Sequence, residues 1–296
     1  MKAGAVLALA VLPLAAQPRL LINAKVDTRP APAGLEREFR ALLAAEPQPA
    51  WIAWDVPAVR TYSMGCEYVG PDGWSAPGVI HLEPPDHAVI LLRIVDRAIE
   101  RIRALSPDCE IDAGNVPVHW ISGVPPAESV ALLAGLVTSV EMGRNGALGA
   151  IALHADASAD AALDRFAAAG QPEEIRRRAI GSLGSTRGRH GLETLRNLLA
   201  GDASAAIRTR VVGAIAESKE PDALNLLIAT ARNDRDPQVQ RRAISALGNP
   251  HAAKGVPVLI EIARTSKLPE MRKHAMSALG QTHDPRALAF FEQVLQ

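Results

Sequence analysis

The chain has 296 residues, 48% of them hydrophobic and only 3% aromatic, and carries 32 basic against 32 acidic side chains. Core material is ample, but the balance favours small-residue helix packing over aromatic-rich β cores and excludes an aromatic stacking platform for nucleic acid. From Gly143 onward there are 21 Lys/Arg against 16 Asp/Glu, which leaves 11 against 16 before it, an asymmetry too weak to make a DNA-binding protein.

Lys2 opens the chain, an apolar run follows from Ala3 to Leu14, and Ala15-Ala16-Gln17 closes it. A basic start, an apolar stretch shorter than the roughly 20 residues of a membrane span and a small-residue exit predict a secretory signal peptide over 1–16 with cleavage after Ala16. The expected location is periplasmic or extracellular. Under oxidising conditions Cys66 and Cys109 can form one disulfide, which would stabilise the front segment by roughly 3–4 kcal/mol in the chain-entropy picture. Two buried free thiols are the alternative.

Residues 17–125 are expected to form a small α+β domain. Arg19–Val26 alternates as a strand ended by Pro30 and Pro32, and Gly34–Glu46 places Leu35, Phe39 and Leu42 at helical spacing. Trp51–Val56 is a short extended piece, and Tyr62–Pro77 is a Gly/Ser/Pro-rich loop. Ala88–Val95 and Ala98–Leu105 form a hairpin about Asp96-Arg97, with a helix as the competitor for the second segment. Val118–Ile121 is a last strand, and Pro125-Pro126 starts a linking and capping helix over 126–142.

Chemistry-bearing residues in this segment are sparse. His81, Glu83, Asp86 and His87 are weak candidates for a metal site, but Pro84-Pro85 keeps any helix from aligning them and a solvated turn fits better. Asp112 has no partner at a meaningful spacing, and His119 beside Trp120 suits half-buried sheet better than a general base. No nucleophile elbow, phosphate loop or dinucleotide fingerprint occurs, so the sequence names no catalytic residue and no cofactor.

From 143 to 296 one phrase recurs every 32 residues: IRRRAIGSLG from Ile175, IRTRVVGAIA from Ile207, VQRRAISALG from Val239 and MRKHAMSALG from Met271. A fainter copy starts at Gly143. A fixed period of this length marks a repeat architecture of about five two-helix units. Positions 175, 179 and 183 fall within about 80° of arc on a helical wheel and form the buried stripe, whereas position 177 lies roughly 200° away. The outward set is Arg177/Thr209/Arg241/Lys273, next to Gly181/Gly213/Ser245/Ser277 and Gly184/Ala216/Gly248/Gly280, the last column serving as helix C-caps. Leu163/Leu195/Leu227/Leu259/Phe291 and Leu192/Leu224/Val256/Leu288 are the apolar columns of the second helix.

The pattern I/V-R-x-x-A-x-x-A-L-G, with Asp-bearing loops, resembles HEAT repeats, most nearly the short type of phycobilin lyases and bacterial scaffold proteins. The resemblance implies an α-helical solenoid whose IRRRA-type helices line the concave side. It also implies an Arg–Asp ladder, matched here by Arg176, Arg208, Arg272, Asp202 and Asp234. Gln240, Gly170 and Ser266 depart from it, so the ladder is incomplete and units two and five are expected to be held more by packing alone. The expected function is an exported protein–protein interaction scaffold. Its binding surface would be a basic stripe of Arg177, Arg178, Arg210, Arg241, Arg242 and Lys273, taking a protein partner, possible acidic segments included, and no nucleic acid. The bland alternative is a solvated helix face. An envelope enzyme with its site in the front domain, or a lyase-like HEAT enzyme, is the other alternative.

Overall fold

The computed structural model describes residues 21–45, 48–60, 67–69, 75–77, 86–107, 109, 111–139, 144–202, 204–248 and 255–295. The expected leader over 1–16, Cys66, His81 and Glu83 lie outside them.

The front segment begins with β1 (Leu21–Ile22), β2 (Lys25–Pro30), α1 (Leu35–Ala45) and β3 (Ala50–Pro57). The first strand is not the single run expected over 19–26. Asn23 takes a positive φ of 50°, which breaks it and passes the chain from a minor sheet to the main one. Pro30 is tolerated at the end of β2 because that strand is an edge. Within 62–77, β4 (Glu67–Val69) and β5 (Ser75–Pro77) pair antiparallel, so this stretch is not purely loop. Then come β6 (His87–Val95), β7 (Ala98–Leu105), β8 (Ile111–Asp112) and β9 (Pro117–Ser122). The β6–β7 hairpin turns on Asp96 and Arg97, both at positive φ (51° and 60°), the backbone a tight two-residue hairpin requires even without glycine.

The main sheet runs β2-β9-β3-β6-β7, with β3 parallel to β9 and antiparallel to β6. The "short extended piece" at 51–56 is therefore its central strand. Alternate residues of β3 face different cores: Trp51 and Ala53 join Val89, Leu91, Val118 and Trp120 on one side. Ile52, Trp54 and Val56 join Leu35, Phe39 and the repeat helices on the other. One apolar core thus continues from the sheet into the array.

The join is made by α2 (Pro126–Ser139) and α3 (Arg144–Leu153). In α2 Val130, Leu132, Leu133, Leu136 and Val137 are buried, apolar on more than one side as a helix between two layers must be. Against β7, a Cβ at Gly146 of α3 would fall well inside contact distance of the Ile102 carbonyl. A fully buried polar chain crosses the same joint. Trp54 Nε1 donates to Ser129 Oγ (2.8 Å), Ser129 Oγ lies 2.8 Å from His154 Nε2, and His154 Nδ1 lies 2.8 Å from the Ala150 carbonyl. These distances fit a neutral imidazole that donates from Nδ1 and accepts at Nε2. Burial first, and Arg187 nearby, push the His154 pKa down to about 4. Arg187 itself is buried, donates to the carbonyls of Ala152 (3.1 Å) and His154 (2.7 Å), and pairs with Asp160 (2.7 Å).

The array continues as α4 (Ala157–Ala167), α5 (Glu173–Thr186), α6 (Gly188–Gly201), α7 (Ala205–Glu217), α8 (Ala223–Asn233), α9 (Pro237–Leu247), α10 (Val256–Thr265), α11 (Pro269–Gln281) and α12 (Pro285–Leu295). All twelve residues of the expected buried stripe, from Ile175 to Leu279, are buried. The odd helices pack closely on one another from α3 to α11 and less closely within the even layer, so the array closes toward the odd layer.

Two expectations fail. Gly184 and Gly280 lie inside their helices, so the glycines of this column are not general C-caps; only Gly248 caps one. Gly184 is buried where a Cβ would run into the Ala214 carbonyl of α7, and a Cβ added at Gly248 would fall 2.8 Å from Ala278 Cβ of α11. In α12 the buried residues are Ala287 and Phe290, while Leu288 is 63% exposed, because among the described residues no further helix covers that side.

The ladder forms where both partners exist. Arg176 pairs with Asp202, and Arg208 pairs with Asp234 at 3.1 Å, all four side chains nearly buried. Unit two is therefore tied through Arg176, contrary to expectation. Beyond it Gln240 of α9 reaches only back to the Arg232 carbonyl of α8 (3.3 Å), and Arg272 of α11 only back to the Ser266 carbonyl before its own helix (2.8 Å).

Two outcomes follow for thermal and urea unfolding. Gly184→Ala should cost about 2–4 kcal/mol, since backbone must move. Gly149→Ala, exposed in α3 with nothing within 4 Å, should gain about 0.5–1 kcal/mol. The folded pKa of His154 lies below the ordinary 6.5, so the unfolded chain takes up the proton first. Its stabilisation is complete above pH 6.5 and is lost as pH falls toward 4, by about 3 kcal/mol. A His154→Gln variant should start less stable at pH 7 and lose correspondingly less across that window in urea titrations.

Candidate binding groove on the odd-helix face

The residues singled out in the basic stripe sit on successive odd helices, because the buried stripe at 175, 179 and 183 fixes the rotation of each helix and turns position 177 outward. Arg177 and Arg178 are exposed on α5. With Glu173, Glu174 and Arg210 they line a groove of about 590 Å³. A second groove of about 370 Å³ continues across α7 to α9, lined by Glu173, Arg177, Thr209, Arg210, Gly213, Gln238 and Arg242. The structure thus brings Arg177, Arg178, Arg210 and Arg242 together. Arg241 and Lys273 lie on α9 and α11 outside both linings, and Lys273 is 3.6 Å from Glu270.

The guanidinium groups are not alike. Arg178 is held by Glu174 one helical turn back (3.2 Å). Arg210 leans onto the preceding helix: its Nε donates to the Arg177 carbonyl at 3.0 Å, and its Nη2 occupies the space a Cβ of Gly181 would need. Arg242 repeats the arrangement one unit on, its Nη2 3.1 Å from where a Cβ of Gly213 would sit. Among the described residues neither Arg210 nor Arg242 has a carboxylate partner. Arg210 is thus a seated, half-buried cation with donors left over, and Arg242 is an exposed one that lies over the next glycine.

Sequence reasoning named the arginines and the glycines but set the glycines in an outward stripe. The signal for the seat was a second offset: Gly181 with Arg210 and Gly213 with Arg242, each 29 residues apart. Where Ser245 replaces the glycine, His274 replaces the arginine. Gly149, in the same column, stays open because Arg178 turns to Glu174.

The front-segment candidates do not converge. His87 Nδ1 lies 3.1 Å from Asp86, and this contact holds the Asp86 carboxyl below its usual range. Burial raises the pKa of Asp55 on the neighbouring strand. His119 is buried in β9 with Nδ1 3.5 Å from Asp27, whose carboxylate is held low chiefly by Arg29. Asp112 accepts from Asn23 and from the Gly114 amide in a turn. Among the described residues no cluster of three His, Cys, Asp or Glu could hold a metal ion. Ser129 and His154 have nucleophile–base spacing, but both are sealed in the core, where no substrate reaches them. Cys109 is fully buried and is not a free thiol. No described helix is long and apolar enough to cross a membrane.

Residues 161–236 and 226–296 match the family model for HEAT repeats, and the C-terminal half of the chain is a run of them. Among solved structures the chain is similar to the complex of CpcE and CpcF of phycocyanin lyase from Nostoc sp. PCC7120. That likeness has 20% identity over 47% of this chain and 90% of that one, with a TM-score of 0.37. It is also similar to human deoxyhypusine hydroxylase in complex with glycerol, at 16% identity over 57% and 69% of the two chains, with a TM-score of 0.30. No curated protein matches it.

Proposed function

We propose that this HEAT-repeat chain is an exported scaffold that holds a protein partner on the odd-helix face of its array. One observation carries the reading: Arg210 and Arg242 lie over glycines in the lining of an open groove, without carboxylate partners among the described residues. Ordering a long side chain costs up to about 2 kcal/mol, and here the fold has already met part of that cost. Arg177 and Arg178 extend the surface at one end, and Arg241 and Lys273 flank it at the other. Extended faces of this kind are what repeat arrays offer to partners. Export rests on the N-terminal sequence, and in that setting Cys109 pairs with Cys66, the other cysteine of the chain.

Reversing charge at Arg177, Arg210 and Arg242 to Glu should abolish capture of partners from an envelope extract while circular dichroism stays unchanged. Identical partners for variant and parent would sink the groove. A mass map without reductant should find a mature N-terminus at Gln17 and a peptide linking Cys66 to Cys109. A retained Met1 would overturn export, and two separately alkylated cysteines would overturn the pairing.

A further inference from the structure

We infer that the groove reads an extended peptide whose carboxylates are spaced three residues apart, a motif of the form Glu/Asp-x-x-Glu/Asp. The inference rests on the scaffold reading above and assigns the chemistry of its ligand. Arg210 and Arg242 occupy equivalent positions on adjacent packed helices, so their separation is the inter-helix spacing, about 8–10 Å. A chain laid across the helices in the extended polyproline II conformation advances about 3.1 Å per residue with three residues per turn, so every third side chain returns to the same face beside the next cation. Carboxylates at i and i+3 therefore meet Arg242 and Arg210 in turn. Adjacent carboxylates cannot reach both.

The first cation is fixed in place and the second is placed beside it by helix rotation. Arg210 is tethered through Nε to the Arg177 carbonyl, and both guanidinium groups rest in notches left by Gly181 and Gly213. The Nη donors of Arg210 remain for a carboxylate, which guanidinium binds with matched geometry. The next pair along the array lacks the seat, with Ser245 and His274, so the cationic rungs stop at α9. Toward α5 the groove turns mixed, since Glu173 lies in both parts of it and Glu174 in one. Carboxylates in the lining disfavour a continuous polyanion, whose charges cannot avoid them, and tolerate a peptide that places a neutral or basic residue there. The observations thus favour an acidic peptide over nucleic acid.

Three labelled peptides of equal composition and charge, titrated by fluorescence anisotropy against the full chain, test this directly. One carries Glu-x-x-Glu-x-x-Glu, one carries three contiguous Glu, and one carries Glu at alternate positions, with Ser and Ala elsewhere; an oligothymidylate of equal charge is the fourth arm. The three-spaced peptide should bind at least tenfold tighter than the others. Gly181→Ala with Gly213→Ala keeps every charge and removes only the seats, displacing side-chain ends rather than backbone, and should remove most of that preference. Equal binding of the three peptides, or tighter binding of the oligonucleotide, would overturn the inference. If charge reversal still abolishes partner capture in that case, the scaffold reading stands and only the ligand assignment falls. If capture is also unaffected, both fall.

Discussion

A helix that must bury apolar surface on two opposite sides has little rotational freedom, and this molecule is built from two such helices. α2 and α3 lie between the main sheet and the first repeats, so their register is set from both directions at once. Gly146 lets α3 touch β7 closely, and the Trp54–Ser129–His154 chain ties strand, helix and helix end by hydrogen bonds that no water can replace. Arg187 then satisfies carbonyls where α3 ends and ties that end to α4 through Asp160. The sheet is therefore part of the array's core rather than a neighbour of it.

From that fixed start the spacing of the array is set by what is missing from its helices. Gly184 and Gly248 have no side chain where the next odd helix passes, so backbones approach closely. Gly181 and Gly213 have none where an arginine of the next unit lies down. The same economy serves packing in one column and cation placement in the column beside it. The groove is thus a product of helix rotation and small residues. It needs no loop insertion, and the odd helices that line it form the closely packed layer.

Periodicity made the solenoid legible: the stripe from Ile175 to Leu279 is buried throughout, because a 3.6-residue period with a 32-residue repeat leaves one face to bury. The β6–β7 hairpin was equally legible from its branched apolar run, although Asp96 and Arg97 reach their backbone angles without glycine. The role of the glycine column was not legible from one helix, since a glycine near a helix end suits a cap and a close crossing equally well. Only the 29-residue offset between glycine and arginine separates the two. The central position of β3 and the joint at His154 were hidden for another reason: both depend on contacts between segments 25 to 100 residues apart, which no local pattern records. The exposed Leu288 marks the same limit, because the repeat column assumes a neighbour that the described structure does not place there.

The ladder of buried ion pairs has a mechanical consequence. It runs from Arg176 through Asp234 and then stops: Gln240 reaches only back to the Arg232 carbonyl of α8, and the exposed pair of Arg232 with Glu261 joins α8 to α10. Exposed pairs resist little, whereas separating a buried pair leaves a stranded charge. Buried pairs therefore brace the array against separation of its units as far as α9, and apolar packing alone does so beyond it. Arg210 and Arg242 lie on α7 and α9 within that braced stretch, so the ion pairs that hold the units together also hold the distance between the two cations.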